Sequence, residues 1–245
     1  MKFVRRIRNG LVRLLSGFTG ALLRQIRRGL ILLVAGFLVL SVGFVLLYGV
    51  LPPPVTPLMV IRMVEGEELR KDWRSYDEIS PHLVQAVLAS EDTRFCEHSG
   101  FDWNALRMAV AQNLEGGQTL GASTITMQTA KNLFLWPART YLRKGLEAYF
   151  TILIELFWNK RRIIETYVNV AEWGAGIYGA EAAAQAYFGK SADELTRREA
   201  SLLAAVLPNP RRWSASQPTR YIERRAATIR ARMRIMPDRG AQPCG

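Results

Sequence analysis

Twenty-two consecutive residues without a charge, Gly29 to Val50 (GLILLVAGFLVLSVGFVLLYGV), set the first limit on what this chain can fold into. At about 1.5 Å of rise per residue they make a helix of roughly 33 Å, enough to cross the hydrocarbon core of a bilayer. The run is long for a core helix or a cleaved signal sequence, and no small-x-small cleavage pattern precedes Leu51 to Pro54. An uncleaved transmembrane helix is therefore expected over 29–50. Charge then sets its direction. Lys2, Arg5, Arg6, Arg8, Arg13, Arg24, Arg27 and Arg28 precede the run with no acidic residue among them, and no charge follows it until Arg62. The positive-inside rule puts residues 1–28 in the cytoplasm and the rest of the chain on the outer side. Val4, Ile7, Leu11, Leu14, Leu15, Phe18 and Leu22 recur at helical spacing among these arginines. The segment reads equally as a basic amphipathic helix lying on anionic lipid and as a plain topogenic flank.

Those eight cations account for most of the net charge of +12, because beyond them 25 basic residues face 21 acidic ones. The remaining excess of +4 does not suit a nucleic-acid footprint spread over a whole domain. At 245 residues the chain has room for one globular domain plus the membrane appendage. Its two cysteines, Cys96 and Cys244, are too few for a disulfide scaffold and match no zinc spacing, and little in the chain favours pairing them with each other.

Pro52, Pro53, Pro54 and Pro57 predict a stiff, non-helical exit, so residues 51–74 read as a linker, 75–236 as the outer domain and 237–245 as a tail. Within the domain, Ser80 with Pro81 starts a helix running towards Glu91, and Asp102 caps another. Thr196 to Glu199 forms a capping box ahead of ASLLAAVL, which Pro208 and Pro210 stop. With no repeat and no long alternating strand, the expected class is mainly α. The runs LFLW (133–136) and YFTILIELFW (149–158) are rich in aromatics, with Arg139, Arg143, Lys144, Lys160, Arg161 and Arg162 at their edges. Buried core explains such runs, and so does a lobe facing the membrane.

Three segments carry chemistry. ASEDTRFCEHSGFDW (89–103) packs Glu91, Asp92, Glu97, His98 and Asp102 among aromatics, where carboxylates suit acid or base work, although a solvated helix end accounts for any one of them. GASTITMQTAKNL (121–133) offers hydroxyls, an amide and Lys131, a set able to hold a phosphate but also readable as a capped helix. RKGLE (143–147) puts Arg143 and Glu147 at i, i+4, for which a surface salt bridge is the simple account.

In order and spacing these segments resemble the family-51 glycosyltransferases, the peptidoglycan transglycosylases. The first is similar to ED-x-x-F-x-x-H-x-G, met by Glu91, Asp92, Phe95, His98 and Gly100. The second is similar to G-x-S-T-I-T-Q-Q-x-x-K-N, met by Gly121, Ser123, Thr124, Ile125, Thr126, Gln128, Lys131 and Asn132, and departs from it at Met127. The third is similar to R-K-x-x-E, met by Arg143, Lys144 and Glu147. KRRIIETYVNVAEWG (160–174), around Glu165, Tyr167 and Asn169, and GIYGAEAAAQAYFGK (176–190) extend the likeness to about residues 75–215.

The resemblance implies a lysozyme-like fold with a hydrophobic lobe at the membrane, preceded by the transmembrane helix. It implies an enzyme of the bacterial inner membrane, its catalytic domain in the periplasm, that polymerises lipid II onto a growing glycan chain by inverting transfer. Undecaprenyl diphosphate is the leaving group. Glu91 would be the general base and Glu147 the second catalytic carboxylate. Asp92, Phe95, His98, Ser123, Thr124, Thr126, Gln128, Lys131, Asn132, Arg143 and Lys144 would bind substrate. No protein metal site is expected, although Mg or Mn at the diphosphate is compatible with the chemistry, and partner proteins of wall synthesis fit such an enzyme. S-x-x-K, S-x-N and K-T-G are missing, so no transpeptidase activity is expected. A lytic enzyme on a lysozyme-like fold would also use two carboxylates but has no need of a diphosphate site, and a non-catalytic scaffold would have no need to keep both.

Overall fold

The computed structural model describes residues 2–114, 121–138, 140–236, 240, 243 and 244, and of residues 2–22, 113 and 114 only the backbone. The face formed by Val4 to Leu22, Arg139 and most of the 237–245 tail therefore lie outside the described residues and side chains. The chain divides into two compact units, 1–46 and 47–245.

Helix α1 (Lys2–Val50) supplies the first unit and lends its last turn to the second. Its stretch Leu23–Val50, with mean hydropathy 3.0, is the one helix among the described residues long and apolar enough to cross a membrane. The side chains described there are almost all exposed, as an apolar helix is when lipid rather than protein surrounds it.

The linker expected over 51–74 is corrected by the second unit. The prolines hold the chain straight only briefly, and Pro57 sits at the first turn of α2 (Pro57–Val64), where its missing N–H is no loss. The Thr56 hydroxyl accepts the Met59 N–H, and Met59 is buried where α2 packs on α5. Strand β1 (Arg70–Lys71) pairs in parallel with β3 (Ile177–Tyr178), which pairs antiparallel with β2 (Glu172–Gly174), so the folded domain begins well before residue 75.

Helix α3 (Pro81–Glu91) is the centre of this unit. Leu83 to Ala89 are all buried, and the one polar residue among them, Gln85, donates its amide to the Met233 carbonyl at 3.0 Å. LVQAVLA has no polar face, so a helix of this sequence must be surrounded. The helices that surround it are α9 (Arg197–Val206) and α10 (Arg220–Ile235). A second layer joins α5 (Ile125–Phe134) to α6 (Tyr141–Phe157) and α7 (Lys160–Val170), with α4 (Trp103–Leu114) and α8 (Ala180–Phe188) beside them in sequence.

The expected start and stop signals act as read. Ser80 caps α3, Asp102 accepts the Asn104 and Ala105 N–H groups at the start of α4, and Thr196 and Glu199 cap each other ahead of α9, which ends before Pro208. The class is mainly α, with three short strands among the described residues. Cys96 and Cys244, 148 residues apart in sequence, form a disulfide, against expectation. Spacing held no sign of it, because the chain beyond α10 returns to the loop that follows α3.

Candidate active site

Glu91 is the last residue of α3, carried to the helix end by a buried segment that leaves it little freedom to shift. Its Oε2 accepts the Gln128 amide at 3.0 Å, and the Gln128 carbonyl oxygen accepts the Tyr167 hydroxyl at 3.2 Å. Tyr167 is wholly buried on α7, and burial together with the nearby Glu91 pushes its pKa well above the usual value. It stays a neutral donor, so the amide is locked with its N–H side towards the carboxylate. The other oxygen, Oε1, lies 3.5 Å from the Ser90 hydroxyl and 3.9 Å from the Arg225 guanidinium on α10.

The loop beyond Glu91 is tied from several sides. Asp92, buried, accepts the Ile125 N–H at 3.0 Å and the His98 Nε2 at 3.0 Å, joining the end of α3 to the start of α5. Lys160 donates to the His98 carbonyl at 2.7 Å and stands 4.5 Å from the Phe95 ring centre. Gly100, with φ +86°, gives its carbonyl to the Thr124 hydroxyl at 2.6 Å. A Cβ there would lie 2.7 Å from the Thr151 methyl, so the motif needs glycine.

An open cavity on this side is lined by Glu91, Asp92, Asp102, Ser123 and Thr124. Farther along α5 a second is lined by Gln128, Lys131, Asn132, Tyr167, Glu172 and Pro208, and a third by Leu58, Arg62, Lys131, Asn132 and Trp136. The structure thus brings Glu91, Asp92, Ser123, Thr124, Gln128, Lys131 and Asn132 to one cleft around α5. Phe95 and Thr126 are buried, and the Thr126 hydroxyl donates to Glu155 at 2.6 Å, so these two support the cleft and His98 braces it.

Lys131 has no hydrogen-bond or ion-pair partner among the described residues. Burial lowers its pKa first; Glu147 and Glu91 oppose the shift, while Arg143 and Lys144 reinforce it. An ammonium in this position gains from any anion that arrives. Glu147 is buried on α6, with one carboxylate oxygen paired to Arg143 and the other to Lys144, so the pair is no mere surface bridge. Both carboxylate oxygens of Glu147 are thus engaged within the protein.

The transglycosylase family model matches residues 58–234, which contain every one of these side chains. The chain belongs to the transglycosylase family. Its mainly α domain is accordingly lysozyme-like, and the protein is a glycosyltransferase. Similar proteins include the biosynthetic peptidoglycan transglycosylase of Rhodospirillum centenum, 57% identical over 84% of this chain and 90% of its own. Those of Caulobacter vibrioides and of Pseudomonas fluorescens strain SBW25 are each 56% identical, over 79% and 80% of this chain and 86% and 85% of their own.

Two residues of this transglycosylase's site escaped the sequence reading. Arg225 is one arginine among many in RYIERRAATIRARMRI, and nothing in that run marks the one that reaches Glu91. Glu172 lines both cavities beside Lys131, and burial raises its pKa against the pull of Arg62 and Arg211. It lies inside the segment 160–174, whose likeness rests on Glu165, Tyr167 and Asn169, and its partners Arg62 and Arg211 are far off in sequence.

Proposed function

We propose that this transglycosylase polymerises peptidoglycan glycan strands from lipid II by inverting transfer, with undecaprenyl diphosphate released and no peptide cross-linking. The observation that carries the reading is the division of labour around α5: one carboxylate with hydrogen-bonding capacity to spare, Glu91, and one partnerless ammonium, Lys131, backed by Arg143 and Lys144. Glu91 takes the proton of the attacking sugar 4-hydroxyl as the oxygen bonds to the anomeric carbon and the bond to the diphosphate breaks. Lys131, Arg143 and Lys144 meet the charge that grows on the leaving diphosphate. Glu147 keeps Arg143 and Lys144 in place.

A cavity at Glu91 and a second one at Gln128, which bonds to Glu91, suit two lipid-linked sugars meeting at that carboxylate. A hydrolase of finished glycan would leave the cationic set without a task. The exposed apolar residues Trp103, Met108, Leu142, Ile152 and Leu156 on α4 and α6 favour a lobe resting on lipid, while Phe150, Ile154 and Trp158 of the same aromatic run are core. The Cys96–Cys244 bond fits an oxidising compartment, in keeping with a single-pass inner-membrane protein whose amino terminus is cytoplasmic and whose enzyme domain is periplasmic.

The test is incubation of the purified protein with lipid II. Polymer that lysozyme digests, blocked by moenomycin and untouched by penicillin, is the expected result. Shortening of preformed glycan without polymer would favour the lytic reading, and covalent labelling by a fluorescent penicillin would refute the single activity.

A further inference from the structure

The disulfide joins two segments that the proposed chemistry does not use. Cys96 lies in the loop that follows Glu91, next to buried Phe95 and two residues before His98, whose ring and carbonyl brace Asp92 and Lys160. Cys244 lies on the strand of chain that returns from α10. That return is pinned a second time: the Gly240 carbonyl accepts the Tyr76 hydroxyl at 2.8 Å. A Cβ on Gly240 would fall 2.2 Å from the Pro81 carbonyl oxygen, a backbone-to-backbone approach with no flexible atom to give way. Pro81 begins α3 and Glu91 ends it. Gly240 and Cys244 therefore hold the central helix near its start and the loop just past its end. Both cysteines are half-buried, within reach of small thiols.

We propose that the contacts made by Gly240 and Cys244 act as a strap that positions the catalytic loop, and that full transfer rate requires the Cys96–Cys244 bond to be formed. The proposal rests on the reading of Glu91 as base, since the strap acts by holding the end of α3 and the loop that braces it. Misplacement of a catalytic group by about an ångström lowers rate by up to two orders of magnitude, while substrate held elsewhere binds as before. Lys131, Arg143 and Lys144 lie on α5 and α6, apart from α3 and the loop that follows it.

The experiment uses the full-length protein and lipid II in three states: as purified, reduced, and reoxidised with oxidised glutathione. Dithiothreitol breaks the one S–S bond, leaving two thiols and its own cyclic disulfide, and thiol alkylation with mass measurement counts the product. Reduction should lower kcat about tenfold with KM within about twofold, and reoxidation should restore it. Gly240→Ala should lower kcat with the disulfide intact. The double variant Cys96→Ser/Cys244→Ser should match the reduced enzyme and ignore dithiothreitol. Unchanged kcat in fully reduced protein would overturn the strap. So would a loss that follows the helical circular dichroism signal, or one confined to KM. Glu91→Gln serves as control: if it keeps its rate, the base assignment fails, and the reductant response of the wild type still decides whether the disulfide conditions the rate.

Discussion

At the scale of single residues, Glu91 and Lys131 separate chemistry from binding. Glu91→Gln keeps the shape and the contact with Gln128 but removes the base, so kcat should fall by about 10²-fold or more while moenomycin binds nearly as before. Lys131→Ala removes a charge facing the diphosphate in ground and transition states alike, so affinity and rate should both fall, by about 1.5 to 3 kcal/mol in binding. Steady-state kinetics with lipid II and equilibrium binding of moenomycin separate the two. Lys131 also gives a pH signature. Burial lowers its pKa below 10.5, so the folded state is penalised while the ammonium is charged, and the penalty lifts as pH rises from the lowered pKa towards the unfolded value. An anion that pairs with Lys131 raises that pKa again, so binding should draw in protons on the alkaline side. Calorimetry in buffers of different ionisation enthalpy, at pH values below the ordinary lysine range, reads this as uptake that Lys131→Ala abolishes. Glu91, Lys131, Arg143 and Glu147 were legible because each sits in a motif of fixed order. Arg225 was not, because what singles it out is the packing of α10 on α3, a long-range contact with no local pattern.

Elements were legible where their ends carry caps. Ser80, Asp102 and Thr196 set helix starts by bonds to N–H groups two or three residues away, which a sequence displays directly. The linker was misjudged for the complementary reason: α2 and β1 are short, and their place depends on α5 and β3, far along the chain. The end of α1 offers a test. Arg162, half-buried at the start of α7, donates to the Tyr48 carbonyl at 3.0 and 2.9 Å and to the Leu51 carbonyl at 2.8 Å. A chain beginning at Leu47 keeps all three bonds, whereas one beginning at Leu51 strands part of a desolvated guanidinium. The longer form should be more stable by about 1 to 3 kcal/mol, read as the difference in urea midpoint at equal slope.

For the whole molecule, the aromatic run 149–158 resolves into two faces of one helix, since α6 buries Phe150 and Ile154 and exposes Ile152 and Leu156. Sequence showed the apolar total but not the division, because α6 is apolar on more than the stripe that its neighbours cover. The unit starting at Leu47, freed of α1's span, should still float with anionic liposomes, and Leu156→Glu with Ile152→Glu should sink it while leaving helical content intact. Failure of the unit to float would remove the membrane lobe and leave the enzyme assignment standing. The disulfide adds a dimension of time. Cys96 leaves the ribosome 148 residues ahead of its partner, and at about 5 to 20 residues per second that is roughly 7 to 30 seconds during which its thiol has nothing to join. Helices α2 to α10 are already made when Cys244 arrives, so the bond beside the catalytic loop comes after them, and a chain stalled between α10 and Cys244 carries Glu91, Lys131 and Glu147 with the loop unlatched.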